Sequence, residues 1–200
     1  MPPIDKKPKG SSTLPDDFQV EALFPQGQPL EVEIGCGKGK FLLARAEASP
    51  DINFLGIDWA GKWLKRGVVR WQKRGYQNLQ FIKAEARDVL AAIPSEAVTF
   101  FHVYFPDPWP KRRHHKRRLL DASFFQMLYD KLVPHGKIEI ATDDREYYQR
   151  IAEAAKQCPA DWKSVRESVD RRLAFEDFKT SYELKYEKDN RPLFYLELKK

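Results

Sequence analysis

Cysteine, long apolar runs and N-terminal hydrophobicity are all scarce in this sequence, and each shortage closes off a class of function. Its two cysteines, Cys36 and Cys158, lie far apart. They suit a reducing, cytoplasmic compartment better than the disulfide framework of a small secreted domain. The longest apolar stretch, around Val98 to Phe105, falls well short of the ~20 residues a membrane span needs, so no membrane partner is expected. The opening MPPIDKKPKGSSTLPDD is polar and proline-rich where a secretion signal would be apolar. No unit of solenoid length repeats. His114 and His115 adjoin, but no cysteine or further histidine stands near them in sequence, so no metal site is expected.

What is present is a chain of 200 residues, 42% hydrophobic, long enough for one sizeable core. Residues 1–18 read as a flexible tail and 19–200 as a single domain, with monomer and homodimer both open. The net charge is +6, and KRRHHKRR alone also carries +6. Its cations are Lys111, Arg112, Arg113, Lys116, Arg117 and Arg118, and the rest of the chain sums to zero. Positive charge gathered in one segment suggests a polyanion contacted at one place; a solvated loop or a nuclear-targeting tract would look the same.

Short strand-like runs alternate with helical patterns. Strands are expected at LEVEIG (Leu30–Gly35), INFLGID (Ile52–Asp58), NLQFIKA (Asn78–Ala84), AVTFFHVYF (Ala97–Phe105) and KIEIAT (Lys137–Thr142). Helices are expected at KFLLARAEA, KWLKRGVVRWQKRG and RDVLAAI, then near Leu119–Leu132 and from Asp144 to Gln157. RRLAFEDF and PLFYLEL read as two more strands, an antiparallel pair. This is an α/β pattern, a mostly parallel Rossmann-like sheet with helices on both faces. Ligands in such sheets bind beyond the carboxyl ends of the strands, at the switch point of the strand order.

The residues after each strand are therefore the ones to read. EIGCGKGK supplies Glu33, Gly35, Gly37 and Gly39, three glycines that let the backbone turn sharply and approach a ligand. The spacing fits neither a P-loop nor the G-x-G-x-x-G dinucleotide fingerprint. Acid-x-Gly-x-Gly-x-Gly instead resembles motif I of methyltransferases that use S-adenosylmethionine (SAM) and release S-adenosylhomocysteine. Glu33 can face the cofactor's ammonium. Asp58, closing the second strand, can accept from both ribose hydroxyls, and Glu85, past the third, can meet the adenine amino group. After the fourth strand, Pro106, Pro108 and Pro110 stiffen the loop that carries Asp107 and Trp109. A rigid carboxylate there can accept hydrogen bonds from a base edge. Trp109 is open between stacking on a base and packing in the core.

EIGCGKGKF, GID, FPDPWPKRRHHKRRL, ATDDREY and TSYE together are similar to the bacterial tRNA (guanine-N7)-methyltransferase family. The likeness spans about Leu30 to Glu183 and continues into the last strand. It implies a SAM-dependent enzyme that methylates N7 of a guanine at position 46, in the variable loop of tRNA. Carried over, it implies Glu33, Asp58, Glu85 and Asp107 around SAM, with Asp107 also at the reaction centre. Lys111, Asp143 and Thr180 through Glu183 would contact the substrate. Two positions depart from the pattern: Asp58 stands where many members have Glu, and Glu85 where Asp or Asn is common, with Asp88 a rival nearby. Two alternatives come from other classes. One is a methyltransferase acting on another RNA or on a protein; the other is a non-catalytic RNA-binding protein on the same scaffold.

Overall fold

The computed structural model describes residues 14, 15, 18–24, 27–175 and 177–200. Most of the expected tail thus lies outside the described residues, although Leu14 is buried and Phe18 packs on the core. Seven strands of the described residues form one sheet: β1 (Leu30–Ile34), β2 (Asn53–Ile57), β3 (Leu79–Ile82), β4 (Val98–Tyr104), β5 (Leu132–Thr142), β6 (Ser164–Val169) and β7 (Phe194–Lys199). Their order is β3-β2-β1-β4-β5-β7-β6. Strands β1 to β5 run parallel to their neighbours, and β7 lies antiparallel between β5 and β6. The order reverses between β1 and β4, which sets the crevice beyond their carboxyl ends.

Among the described residues six helices cover the sheet: α1 (Lys40–Ala48), α2 (Gly61–Arg74), α3 (Ala86–Ala92), α4 (Ala122–Lys131), α5 (Arg145–Gln157) and α6 (Ser181–Lys188). One face is apolar throughout. Val32, Ile34, Leu55, Ile57, Phe101, Val103, Ile138 and Ile140 project there and pack on Val89 and Leu90 of α3, Phe124 and Leu128 of α4 and Ile151 of α5. The other face is covered by Phe41 and Leu42 of α1, Leu64 of α2, and Leu173, Phe175 and Phe178 ahead of α6. Because side chains alternate along a strand, this second face receives Glu31, Glu33, His102, Tyr104, Glu139, Tyr195 and Glu197, a polar layer between sheet and helices. All of these residues are buried.

The sequence reading needs two corrections near the end of the chain. The antiparallel pair exists, but the partner of the last strand is SVRESV, Ser164–Val169, not RRLAFEDF. β6 is an edge strand whose Val165 and Val169 are exposed, so it lacks the apolar signal of a buried strand. The described residues of Arg171–Phe178 form no strand and instead turn Arg172 and Leu173 inward. α6 went unread, although its T-S-Y-E start is a capping-box sequence: Thr180 Oγ1 accepts from the Glu183 N–H and Glu183 accepts from the Thr180 N–H. Both cysteines are free and buried. Among the described residues no helix is long and apolar enough to cross a membrane.

Candidate active site

A cavity of about 570 Å³ opens at the switch point, lined by the carboxyl ends of β1, β2 and β4 and by Glu85 past β3. The glycine loop forms its floor. Gly35, Gly37 and Gly39 all have positive φ (78°, 53° and 61°), and a Cβ on Gly39 would sit 2.4 Å from Phe81 Cζ. Gly39 is thus doubly required, by its left-handed backbone and by the aromatic ring beneath it. Asp58 ties the loop down: Oδ2 accepts from the Gly37 N–H at 2.7 Å and Oδ1 from the Ala60 N–H at 2.6 Å. Burial, with Asp107 adding to it, raises the Asp58 carboxyl above its ordinary value against the two backbone donors. Glu33 is buried, lines the cavity, and among the described residues has no partner for Oε2. Burial pushes its carboxyl well up, with Arg172 opposing and Asp58 and Glu183 reinforcing the rise. Glu85 lines the cavity and stands at the N-cap of α3; its rival Asp88 lies one turn on and does not line it.

Asp107 is exposed and reaches the cavity from the end of β4. Its loop is strained at both ends, since Phe105 (φ 54°) and Trp109 (φ 46°) occupy left-handed backbone that bulky residues rarely adopt. What holds the loop there is Arg118. Nε donates to the Pro108 carbonyl at 2.7 Å, and the two terminal nitrogens pair with the Glu146 carboxylate at 3.1 and 2.6 Å. Arg118 also lies over the Tyr147 ring, 4.8 Å from its centroid. It is therefore paired with a carboxylate within the protein, unlike the other five cations of the basic segment. Lys111, Arg112, Arg113, Lys116 and Arg117 are exposed, on or beside a short 3-10 helix (Arg112–Arg117), and meet no carboxylate among the described residues. Trp109 is half-buried at the cavity wall, with Arg117 4.9 Å over its ring and His114 edge-on at 5.7 Å.

The residues near α6 fall into two groups. Thr180 lines the cavity wall, but Glu183 is 1% exposed and turned inward. Its Oε2 accepts from the Thr180 N–H and Arg172, and its Oε1 from the Tyr195 hydroxyl, so no oxygen faces the cavity free of a partner. Asp143 is outside the cavity lining and accepts from Arg191 at 2.9 Å. Tyr182, within the Thr180–Glu183 stretch expected against the substrate, lines the cavity, and so does Lys185 on α6, which sequence reasoning missed. Tyr182 and Tyr186 lie against Phe105, ring centroids 5.8 and 5.5 Å away, so α6 braces the strained loop directly. Also missed was Arg172, which donates to Glu139 at 3.1 Å, to Glu183 at 3.3 Å and to the Phe178 carbonyl. It anchors the segment leading into α6 on the polar layer.

A family model described as "Putative methyltransferase" matches residues 27–196. The chain is 36% identical over 151 residues to the tRNA (guanine-N(7)-)-methyltransferase of Chromohalobacter salexigens, covering 75% of this chain and 61% of that protein. It is 34% identical over 165 residues to the protein of the same name from Geobacillus kaustophilus, covering 82% and 76%. The chain belongs to this methyltransferase family. Against the first of these relatives it spans only about three fifths of the length. The fold is shared more widely: the crystal structure of the 16S rRNA methyltransferase KamB aligns at a TM-score of 0.62 and 14% identity, over 90% of this chain and 89% of that one.

The cavity fits SAM, the cofactor such a family implies. A buried carboxylate oxygen without a partner suits a cationic ammonium, and the glycine loop leaves open space above Gly35 and Gly37 where a side chain would stand. Asp58, one methylene shorter than the Glu many members carry, still reaches the Gly37 and Ala60 N–H groups; each oxygen retains a lone pair for a ligand hydroxyl.

Proposed function

We propose that the protein methylates N7 of guanine in tRNA, at position 46 of the variable loop, using SAM in the cytoplasm. The observation that carries this reading is the meeting of two unlike sites at one cavity. A glycine loop with a buried carboxylate oxygen unpartnered among the described residues forms one side; Asp107 and Arg117 stand on the other, Arg117 belonging to a segment whose five exposed cations meet no carboxylate among the described residues.

SAM supplies an electrophilic methyl group when bound. Glu33, Gly35, Gly37, Gly39, Asp58 and Glu85 would hold it. Guanine N7 offers a lone pair and carries no proton at neutral pH, so the chain need not provide a general base. What it provides is position, worth up to about 7–11 kcal/mol when reacting groups are held in line. Asp107, on its braced loop, would orient the base by accepting from guanine N1–H and N2–H. Lys111, Arg112, Arg113, Lys116 and Arg117 would place the backbone by neutralising phosphates without reading sequence. Five such contacts give a salt slope of roughly −3.5 to −4.5. Thr180 would meet the substrate from the cavity wall and Asp143 from beside it, while Glu183 acts through the α6 cap.

The test is incubation of the purified protein with SAM and unmodified tRNA transcripts, with modified nucleosides counted by mass spectrometry. 7-Methylguanosine at position 46 is expected with wild type and a loss of at least about a hundredfold with Asp107→Ala, the scale of a lost orienting contact. A wild type that binds SAM but leaves every transcript unmethylated sinks the reading in favour of another substrate.

A further inference from the structure

The net charge hides a second basic element. α2 holds Lys62, Lys65, Arg66, Arg70, Lys73 and Arg74 and no acid, so it too carries +6, offset by acids elsewhere. All six are exposed, and only Arg74 pairs with a carboxylate, Glu47, among the described residues. At the cavity end of this helix stands Trp63, 41% exposed. Lys38, Lys62 and Arg66 surround its ring, 4.9, 5.5 and 5.2 Å from the centroid. Trp63 and Lys38 line the same cavity as Asp107 and Arg117. α2 packs closely on the glycine loop there: a Cβ on Gly67 would come within 3.0 Å of the Lys38 carbonyl oxygen.

We propose that this end of α2 is a second RNA-binding bank, on the β2 side of the crevice, where Trp63 stacks on an unpaired base and Lys62 and Arg66 contact its phosphates. The occupant is the single-stranded RNA running away from the target guanine. An exposed ring among cations without carboxylate partners is the combination that binds single strands, because the aromatic ring offers a stacking surface and the cations track the backbone. Protein interfaces are depleted of lysine, whereas α2 carries three, Lys62, Lys65 and Lys73. The inference rests on the reading of RNA as substrate.

The test measures binding of unmodified tRNA transcript to the full chain across a salt series, together with KM for tRNA in the methylation assay. Lys62→Ala/Arg66→Ala is expected to raise both Kd and KM for tRNA about tenfold and to flatten the salt slope by about 1.5, for two phosphate contacts. Trp63→Ala is expected to weaken binding about tenfold with the slope kept. Neither Lys62 nor Arg66 lines the cavity, so the thermal shift given by SAM should persist in the double variant. Wild-type affinity and slope in both variants overturn the proposal. So does a self-associated wild type that the variants convert to monomer with tRNA affinity intact, since α2 would then face a second copy. A wild type that binds no tRNA overturns the proposed function as well; one that methylates tRNA while the variants keep its slope overturns this inference alone.

Discussion

Arg172→Ala is the substitution that most directly tests how the site is held together. The guanidinium is 6% exposed and bridges two buried carboxylates, Glu139 at 3.1 Å and Glu183 at 3.3 Å, while lying 4.2 Å over the Tyr104 ring. Removing one partner of a buried ion pair costs about 3–5 kcal/mol, because the remaining charge is left without compensation. The lower end applies here. Glu139 keeps the Leu173 and Ala174 N–H groups and the Tyr104 hydroxyl, and Glu183 keeps the Thr180 N–H and the Tyr195 hydroxyl. About 3 kcal/mol corresponds to a fall in Tm of about 6–12 °C for a chain of this size. Urea unfolding should show a lower midpoint with the slope m unchanged, since the surface exposed on unfolding is the same. Adding Glu139→Gln to Arg172→Ala should recover part of the loss by removing a stranded charge. A loss below about 1 kcal/mol, or a double variant no more stable than the single, would refute the view that this ion network anchors α6.

Three further outcomes follow from the geometry. Gly39→Ala should abolish the SAM-induced thermal shift and cost about 2–4 kcal/mol, adding overpacking against Phe81 to a left-handed alanine; Phe81→Leu in the same chain should return part of the stability, and unchanged SAM binding by calorimetry would count against the loop's role. Arg118→Ala and Arg112→Ala should separate on a salt series: loss of Arg112 lowers the tRNA slope by about 0.7–0.9, whereas loss of Arg118 leaves the slope and lowers kcat by freeing the Pro108 carbonyl and the Asp107 loop; equal slope changes would show Arg118 on phosphate instead. SAM affinity should fall with acidity at a higher pH than an ordinary carboxylate near 4.5 would allow, because burial raises Glu33 and an ammonium takes its ionised form. Binding then releases a proton, so Kd rises about tenfold per pH unit below the Glu33 pKa and is flat above it. Glu33→Gln should bind weakly with no such dependence, and a wild-type Kd flat across pH 5–8 would remove Glu33 from the ammonium contact.

What could be read from the sequence was whatever lies within a few residues of a strand end. EIGCGKGK, Asp58, Glu85 and the Asp107 loop each announce themselves locally, and the parallel order that brings them to one cavity follows from strand–helix alternation. Arg118 could not be told from Arg117 by spacing. One stacks over Trp109 at the cavity and the other pairs with Glu146, and only the path of the 3-10 turn separates them. The family resemblance implies substrate contact for Thr180 through Glu183, while the same four residues, T-S-Y-E, spell a capping box that turns the acid inward.

The polar layer is the instructive omission, because its signal was present on four strands, β1, β4, β5 and β7. Glu31 and Glu33, His102 and Tyr104, Glu139, Tyr195 and Glu197 recur at the two-residue period of a sheet face, inside runs otherwise apolar enough to be buried on both sides. A buried charge must find a partner, so this pattern required cations on the covering elements. Arg45 of α1 answers Glu31 at 2.9 Å, and Arg172 answers Glu139. His102 stands between them, 3.0 Å from Glu31 and 2.8 Å from the Tyr104 hydroxyl, and burial keeps its pKa low despite Glu31. Packing that layer with aliphatic residues would give an equally closed core, but nothing in such a core would fix the direction in which the Arg172 segment crosses the sheet. The ion network does, and it thereby sets Thr180, Tyr182 and the brace on Phe105 at one wall of the cavity. Charge within the core is therefore tied to the shape of the site, and substitutions far from the crevice, Glu139→Leu among them, should loosen the Asp107 loop before they unfold the sheet.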